Sequence, residues 1–497
     1  MKKIFSLFII SLIFVGCSTI PVGYERINSD ELTKKIDSIF NDSLFSHAHW
    51  GVLIESLSSG KVLYERNSER MFMPASNEKI PTAAAALTKL GPDFRFRTII
   101  GYSGNIIDST LYGDLIIIGD GDPTLSDRIY DKPTTVFEQW TDSLLSLGIK
   151  SISGNIIGDD NKFDDENIGY GWPLDGLDYW YSAEIGALQL NENYVDLKIV
   201  PPANIYDTLK IIPDVISNYY KLINEIEIVD TGSNNLKITR AYGKNEILLK
   251  GKIVRNTEPF ERSPTITNPT KFYVTVLKEV LENKGIAVLG SPIDCDEIPN
   301  YVDSIKVTDS LIVHQSLPLH EILKVLMKKS QNLYAETVVR ALGLDESGIG
   351  SFDEGKKVVE SVLEEFGIEP GSHSYMDGSG LSRYNYISPK QILNILKGMS
   401  KSNYWDFWYD TLPIAGVDGT LKWRMKNTKA ENNVRAKTGT ISNVRGLSGY
   451  LKTAEGEDIA FSFLVNGHLK TSRETELITD QVLELISEYP LIKNNVD

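Results

Sequence analysis

The sequence predicts an α/β (α+β) protein in which one mixed domain, assembled from both ends of the chain, is interrupted by a long β-rich insertion. Three observations predict it. Hairpin and helix patterns fill the first hundred or so residues, and short β-rich runs separated by Asp, Asn, Gly and Tyr extend from Phe94 to about Val307. Helical periodicity then returns at Leu319 and gives way to two strands and a last helix. A chain of 497 residues exceeds one ordinary core, and roughly 100 to 200 residues per domain gives two to four domains.

The elements follow in order. Lys2 and Lys3 precede an uncharged, mostly apolar stretch from Ile4 to Val15, the pattern of an export signal. Its 12 residues fall short of the roughly 20 that span a bilayer. Phe14-Val15-Gly16-Cys17 resembles a bacterial lipobox, with Phe14 where Leu is usual, so Cys17 is expected to become the lipidated amino terminus; an ordinary cleaved signal with a chance Cys is the alternative. Cys295 then has no partner, and no internal disulfide is expected. Asn28 or Ser29 can cap a helix through about Phe40, with Leu32, Ile36 and Phe40 on one face. Gly51 to Leu57 and Lys61 to Glu65 read as a hairpin around Ser58-Ser59-Gly60. The run Ala83 to Leu90, entered through Ile80-Pro81-Thr82 and closed by Gly91-Pro92, reads as a buried helix.

Beyond the β-rich middle, helices are expected at Leu319 to Met327, Tyr334 to Leu342, Gly355 to Phe366 and Pro389 to Met399. Strands are expected at Gly446 to Lys452 and Ile459 to Val465, with a helix from about Ser472 to Ser487. A net charge of −16 argues against wholesale nucleic-acid binding, which needs a basic footprint.

Three short motifs carry chemistry. Ser76-Asn77-Glu78-Lys79 sets a hydroxyl and an amine one helical turn apart, where a desolvated Lys can deprotonate Ser. Ser58 to Lys61 has the same spacing but sits on the hairpin turn, where no helix aligns its ends. From spacing alone, an N-capping Ser beside a solvated Lys stays open as the alternative at Ser76. Ser330-Gln331-Asn332 lies between apolar helical runs, with helix capping as its alternative role. Lys437-Thr438-Gly439-Thr440 reads as a strand in which Gly permits close backbone approach and Thr and Lys can meet a carboxylate. Each motif is common alone; all three in one chain, in the order SxxK, SxN, KTG, form the signature set of penicillin-binding proteins and serine β-lactamases.

The chain resembles the D-alanyl-D-alanine carboxypeptidase/D-alanyl-D-alanine endopeptidase family, the low-molecular-mass class C penicillin-binding proteins. The likeness extends to Phe72-Met73-Pro74-Ala75-Ser76, Gly119-Asp120-Gly121-Asp122-Pro123, Ala187 to Asn193, Asn332 to Glu336, Asp377 to Arg383 and Leu412 to Thr420. The 254 residues from Ser76 to Ser330 suit this family rather than class A β-lactamases. The resemblance implies a serine β-lactamase/penicillin-binding transpeptidase-like domain, an antiparallel sheet flanked by helices, with two inserted β-rich domains. Residues 1–17 are then the signal with its lipobox, 25–97 and 310–497 the split catalytic domain, 98–121 and 190–309 inserted domain II, and 122–189 inserted domain III.

It further implies that Ser76 is the nucleophile and Lys79 its base, and that Ser330, with Lys437 beside it, relays a proton to the leaving D-alanine. Asn332 is implied to bind the substrate amide, Thr438 and Thr440 next to Gly439 its terminal carboxylate, and the backbone N–H groups of Ser76 and Thr440 the oxyanion. The implied partners are peptidoglycan stem peptides and inhibitory β-lactams, with no cofactor, no metal and no nucleic acid. The implied place is the periplasmic side of the bacterial envelope, as a lipoprotein touching membrane only through Cys17. A β-lactamase or esterase-like hydrolase and a non-catalytic cell-wall binding or penicillin-sensing protein are the rival readings.

Other features are set aside. The six His residues include no HExxH arrangement, and there is no GxSxG elbow. Asp120, Asp122, Asp159 and Asp160 lack calcium-loop spacing and are expected in solvated turns. Asp377-Gly378-Ser379-Gly380 is expected to be a tight loop lining the cleft. Trp172, Tyr179, Trp180 and Tyr181 are read as core packing, with a glycan-facing surface as the minority alternative.

Overall fold

The computed structural model describes residues 24–493, so the export segment and Cys17 lie outside the described residues. Both ends of the chain enter one antiparallel five-stranded sheet. Its order is Arg435–Ile441, Val444–Lys452, Asp458–Asn466, His49–Ser56, Val62–Arg66. His49–Ser56 pairs with Asp458–Asn466 from His49 opposite Asn466 to Ser56 opposite Ile459, joining the amino-terminal hairpin to the carboxy-terminal one. Both faces are buried because both strands are apolar at alternate positions on each side. Trp50, Val52, Ile54, Phe461, Phe463 and Val465 face one core, while Leu53, Ala460 and Leu464 face the other.

The first core is closed by helices Ser29–Phe40 and Ser472–Glu488. Asn28 starts the former by accepting the N–H groups of Asp30 and Glu31, while Glu31 accepts the N–H of Asn28; Leu32, Ile36 and Phe40 turn inward. Arg424, from the loop before the sheet's edge strand, pairs with Asp480 on the last helix at 2.6 Å, both side chains less than a tenth exposed. The second core surrounds helix Lys79–Lys89, whose Ala83 to Leu87 are fully buried. Short Ala side chains let helices Leu319–Lys328, Asn332–Ser347, Phe352–Glu365 and Pro389–Ser400 pack around it.

The insertion enters through Arg97–Tyr102 and leaves through Asp309–Gln315, and these two strands pair with each other. They belong to a sheet ordered Pro292–Asp294, Ile156–Asp159, Leu115–Gly119, Arg97–Tyr102, Asp309–Gln315. Helices Thr135–Ser146 and Pro269–Asn283 share a core with it. The expected partition of the insertion differs from this packing. Residues 122–189, expected to stand as a domain, instead send Ile156–Asp159 in parallel beside Leu115–Gly119 and put Phe137, Trp140 and Leu144 into the same core. The purely β part is Leu197 to Arg262, which forms two three-stranded sheets. The expectation of solvated acidic turns is also corrected. Asp122 is 3% exposed, its carboxylate accepting the Thr124 N–H and hydroxyl, and burial pushes Asp160 up to about 6.

Candidate active site

Ala75–Glu78 forms a 3-10 turn that runs directly into helix Lys79–Lys89. Ser76 therefore sits on the turn before the helix rather than inside it. Ala75 has φ of +47°, a left-handed backbone that L-residues rarely adopt and that surrounding contacts must hold. Ser76 makes no capping bond and Lys79 is fully buried, which removes the reading of a capping Ser with a solvated Lys. Lys79 Nζ lies 3.2 Å from Ser76 Oγ and 2.6 Å from both Asn332 Oδ1 and the Ser379 carbonyl. Burial pushes the Lys79 amine down to about 7, partly opposed by Asp377, Glu336 and Glu78.

The second motif caps the next helix. Ser330 has φ of +60°, and Gln331 precedes helix Asn332–Ser347, its side chain accepting the Asn332 N–H at 2.9 Å. This turn aims Asn332 at Lys79 and Ser330 at the third motif. Lys437 Nζ donates to Ser330 Oγ and to the Thr438 carbonyl, each at 2.8 Å. Lys437 is fully buried, and its amine is held well below the usual lysine range by burial and by Lys79.

Lys437, Thr438, Gly439 and Thr440 lie on Arg435–Ile441, the edge strand of the sheet, so one row of its backbone groups has no strand partner. Gly439 is required there. A Cβ would stand 2.6 Å from the Pro74 carbonyl and 2.9 Å from Asn77 Nδ2, in the turn that carries Ser76. Thr438 and Thr440 line a cleft of about 740 Å³ together with Ser76, Ser330, Asn332 and Tyr181. Lys329, Arg383 and Arg445 also border it, against Glu476 alone, a balance that favours an anionic ligand.

Several residues of the site have contacts that their motifs did not announce. Asn77 donates to the Lys437 carbonyl at 3.2 Å and ties the Ser76 turn to the edge strand. Glu336 accepts the N–H groups of Gly378 and Ser379, fixing the carbonyl that meets Lys79; burial and Asp377 push it up to about 7. Asp377 is fully buried rather than facing the cleft, and accepts from the Gly380 and Ser382 N–H groups and Trp172 Nε1. Gly380, Leu381 and Arg383 are the part of that loop that reaches the cleft. Trp172 is core, as read, whereas Trp180 and Tyr181 form part of the cleft wall. In the insertion, Asp160, Asp294, Cys295 and Asp296 bring ligand-type atoms within 4.8 Å of one another. Thr270 and Asn268 donate to Asp160 and Asp294, and none of the four borders the catalytic cleft.

Comparison with known proteins agrees along nearly the whole chain. The model of the D-Ala-D-Ala carboxypeptidase 3 (S13) family matches residues 32–488. A D-alanyl-D-alanine carboxypeptidase of Actinomadura sp. is 32% identical over 494 residues, spanning 97% of this chain and 89% of that protein. The crystal structure of penicillin binding protein 4 from Haemophilus influenzae superposes with a TM-score of 0.77 at 28% identity, covering 92% of this chain and 98% of the other. The same Haemophilus protein in complex with a β-lactam gives 0.71 at 27% identity, with the same coverage.

Proposed function

We infer the reaction from one premise: the chain belongs to the D-Ala-D-Ala carboxypeptidase 3 (S13) family and is a serine D-Ala-D-Ala carboxypeptidase. Its substrate is the D-Ala-D-Ala terminus of peptidoglycan stem peptides, and Ser76, Lys79, Ser330, Asn332 and Lys437 carry the chemistry. One observation supports this above the others. Lys79 Nζ faces two carbonyl oxygens, of Asn332 and Ser379, and one hydroxyl, of Ser76. Carbonyls only accept, so a neutral amine spends both N–H bonds on them, and its lone pair is left pointing at the Ser76 O–H. The amine's depressed pKa makes that neutral form accessible near neutral pH.

The steps follow from that arrangement. Ser76 Oγ gives its proton to Lys79 and attacks the carbonyl between the two D-alanines. The oxyanion is received by the N–H groups of Ser76 and Thr440 at the cleft wall. As the C–N bond breaks, Ser330 relays the proton that Lys79 took from Ser76 to the leaving D-alanine amine, with Lys437 Nζ at 2.8 Å from Ser330 Oγ lowering the cost of that transfer. Asn332 holds the substrate amide, and Thr438 and Thr440 hold the terminal carboxylate beside the cationic rim. Water then attacks the acyl-serine, giving a proton to Lys79, which returns one to Ser76 Oγ at 3.2 Å as the ester bond breaks and the shortened peptide leaves. A β-lactam enters the same path and stops at the acyl-enzyme, in keeping with the β-lactam complex of the Haemophilus relative.

The same chemistry permits cleavage of D-Ala cross-links, since the leaving amine then belongs to a second stem peptide. We place the enzyme on the periplasmic side of the envelope, lipidated at Cys17. Mass spectrometry of products from D-Ala-D-Ala peptides and cross-linked fragments is the test. D-Alanine release and stable labelling of Ser76 by penicillin are expected, both abolished in Ser76→Ala. Rapid β-lactam turnover in place of a stable adduct would favour the β-lactamase-like rival, and Ser76→Ala with unchanged D-alanine release would sink the assignment of the nucleophile.

A further inference from the structure

Among buried groups that the reaction above does not use, Glu192 in the insertion has the most constrained setting. Asn191, Glu192 and Asn193 have φ of +49°, +56° and +58°, three successive L-residues in the left-handed region, each at most 1% exposed. Such residues are strained and persist only where neighbours hold them. Asn193 holds the turn by donating to the Glu184 carbonyl at 2.8 Å, and Asn191 by donating to Asp214 at 2.5 Å.

The turn presents one carboxylate to the catalytic domain. Glu192 accepts from Arg128 Nε at 2.5 Å, from the Tyr194 hydroxyl at 2.7 Å, and from Gln331 Nε2. Gln331 is 1% exposed, and its other end accepts the Asn332 N–H. The amide thus bridges the insertion and the first N–H of the helix that carries Asn332. Without the carboxylate, Gln331 Nε2 would be a buried donor with no acceptor, and the left-handed Ser330 turn would lose its brace. Two contacts depend on that turn: Asn332 Oδ1 with Lys79 and Ser330 Oγ with Lys437.

We propose that Glu192 is a positioning residue for the peptidase reaction: through Gln331 it fixes the turn that aims Ser330 and Asn332 at the two active-site lysines. The inference rests on the roles given above to Ser330 and Asn332. It makes the insertion part of the catalytic apparatus, since the residue that sets the proton relay lies outside the domain that performs the chemistry.

Charge exchange tests it on the purified full chain, read by the rate of acylation with labelled penicillin and by kcat and KM for D-alanine release. Gln331→Glu opposes two buried carboxylates, and we expect acylation to slow roughly ten- to a hundredfold with kcat falling and KM held. Glu192→Gln combined with Gln331→Glu restores an amide facing a carboxylate and is expected to recover most of that loss at an unchanged melting temperature, a rescue that a general stabilising role would not produce. Wild-type acylation in Gln331→Glu, or no recovery in the folded double variant, overturns the proposal. If Gln331→Glu does not fold, Gln331→Leu decides in its place. Glu192→Gln is then expected to slow acylation in the native background but not beside Gln331→Leu, and equal slowing in both overturns it. Failure of the unaltered protein to acylate at Ser76 would overturn the assigned roles of Ser330 and Asn332 together with this inference. Normal acylation that is indifferent to residue 192 removes this inference alone.

Discussion

Lys79 is a cation type placed in full burial, and the base role proposed for it rests on that contradiction. Desolvation disfavours the ammonium, and the pKa of about 7 puts the proton-accepting amine within reach at neutral pH. The sign is definite: above 7 the amine is neutral and can take the Ser76 proton, and below 7 it cannot. The acylation rate with labelled penicillin should therefore fall by about tenfold per unit as pH drops below 7. A flat rate between pH 5 and 7 would remove Lys79 as the base. Ser76, Lys79, Ser330 and Lys437 were legible because the three motifs occur in order, since the spacing of Ser76 and Lys79 alone is shared by Ser58 and Lys61. Glu336, Asn77 and Glu192 lie in the segments that carry the likeness, but their roles were not legible, since each acts through contacts far away in sequence, such as Asn77 with Lys437 and Glu192 with Gln331.

At the scale of elements, the edge strand and the Ser76 turn meet at Gly439 with no room for a side chain. Gly439→Ala drives a Cβ into backbone of the Pro74 turn, an overpacking that costs about 1 to 3 kcal/mol and moves the strand away from Ser76. Penicillin labelling should slow by at least about tenfold while the circular dichroism spectrum is kept; unchanged labelling would show that the approach is not needed. Behind the same sheet, Asp480→Ala leaves Arg424 buried without its carboxylate. It should lower unfolding free energy by about 3 to 5 kcal/mol in urea, and a loss well under 1 kcal/mol would mean that water reaches the pair. Elements with 3.6-residue periodicity or alternation were readable from sequence, as were the helices Pro389–Ser400 and Ser472–Glu488. Helix Pro269–Asn283 was hidden because Phe272-Tyr273-Val274-Thr275-Val276 has strand composition, and tertiary burial outweighs that local preference. Thr135–Ser146 was readable in principle, since Val136, Phe137, Trp140 and Leu144 share a face.

For the whole molecule, the split of the catalytic domain follows from strand pairing: the insertion's entry and exit strands, Arg97–Tyr102 and Asp309–Gln315, lie side by side, so its long excursion closes on itself. The division within the insertion could not be read from composition, because its parallel strand pairs join segments far apart in sequence, such as Leu115 with Ile156 and Ile156 with Pro292. Among the described residues no helix is long and apolar enough to cross a membrane, and the lipid at Cys17 stays a proposal with its own test. Cys17→Ala should abolish labelling by a fatty-acid precursor and move the protein out of the membrane fraction; persistence in that fraction would point to another anchor. The first and last described strands, Tyr24–Arg26 and Leu491–Lys493, pair with each other. A lipid at Cys17 would then be joined to this closing seam by only the few residues from 17 to 24, a leash of at most about 25 Å at roughly 3.5 Å per residue. Lipidated there, the enzyme would be a surface-bound trimmer with a fixed working radius, able to act only on the layer of wall that the membrane brings to it.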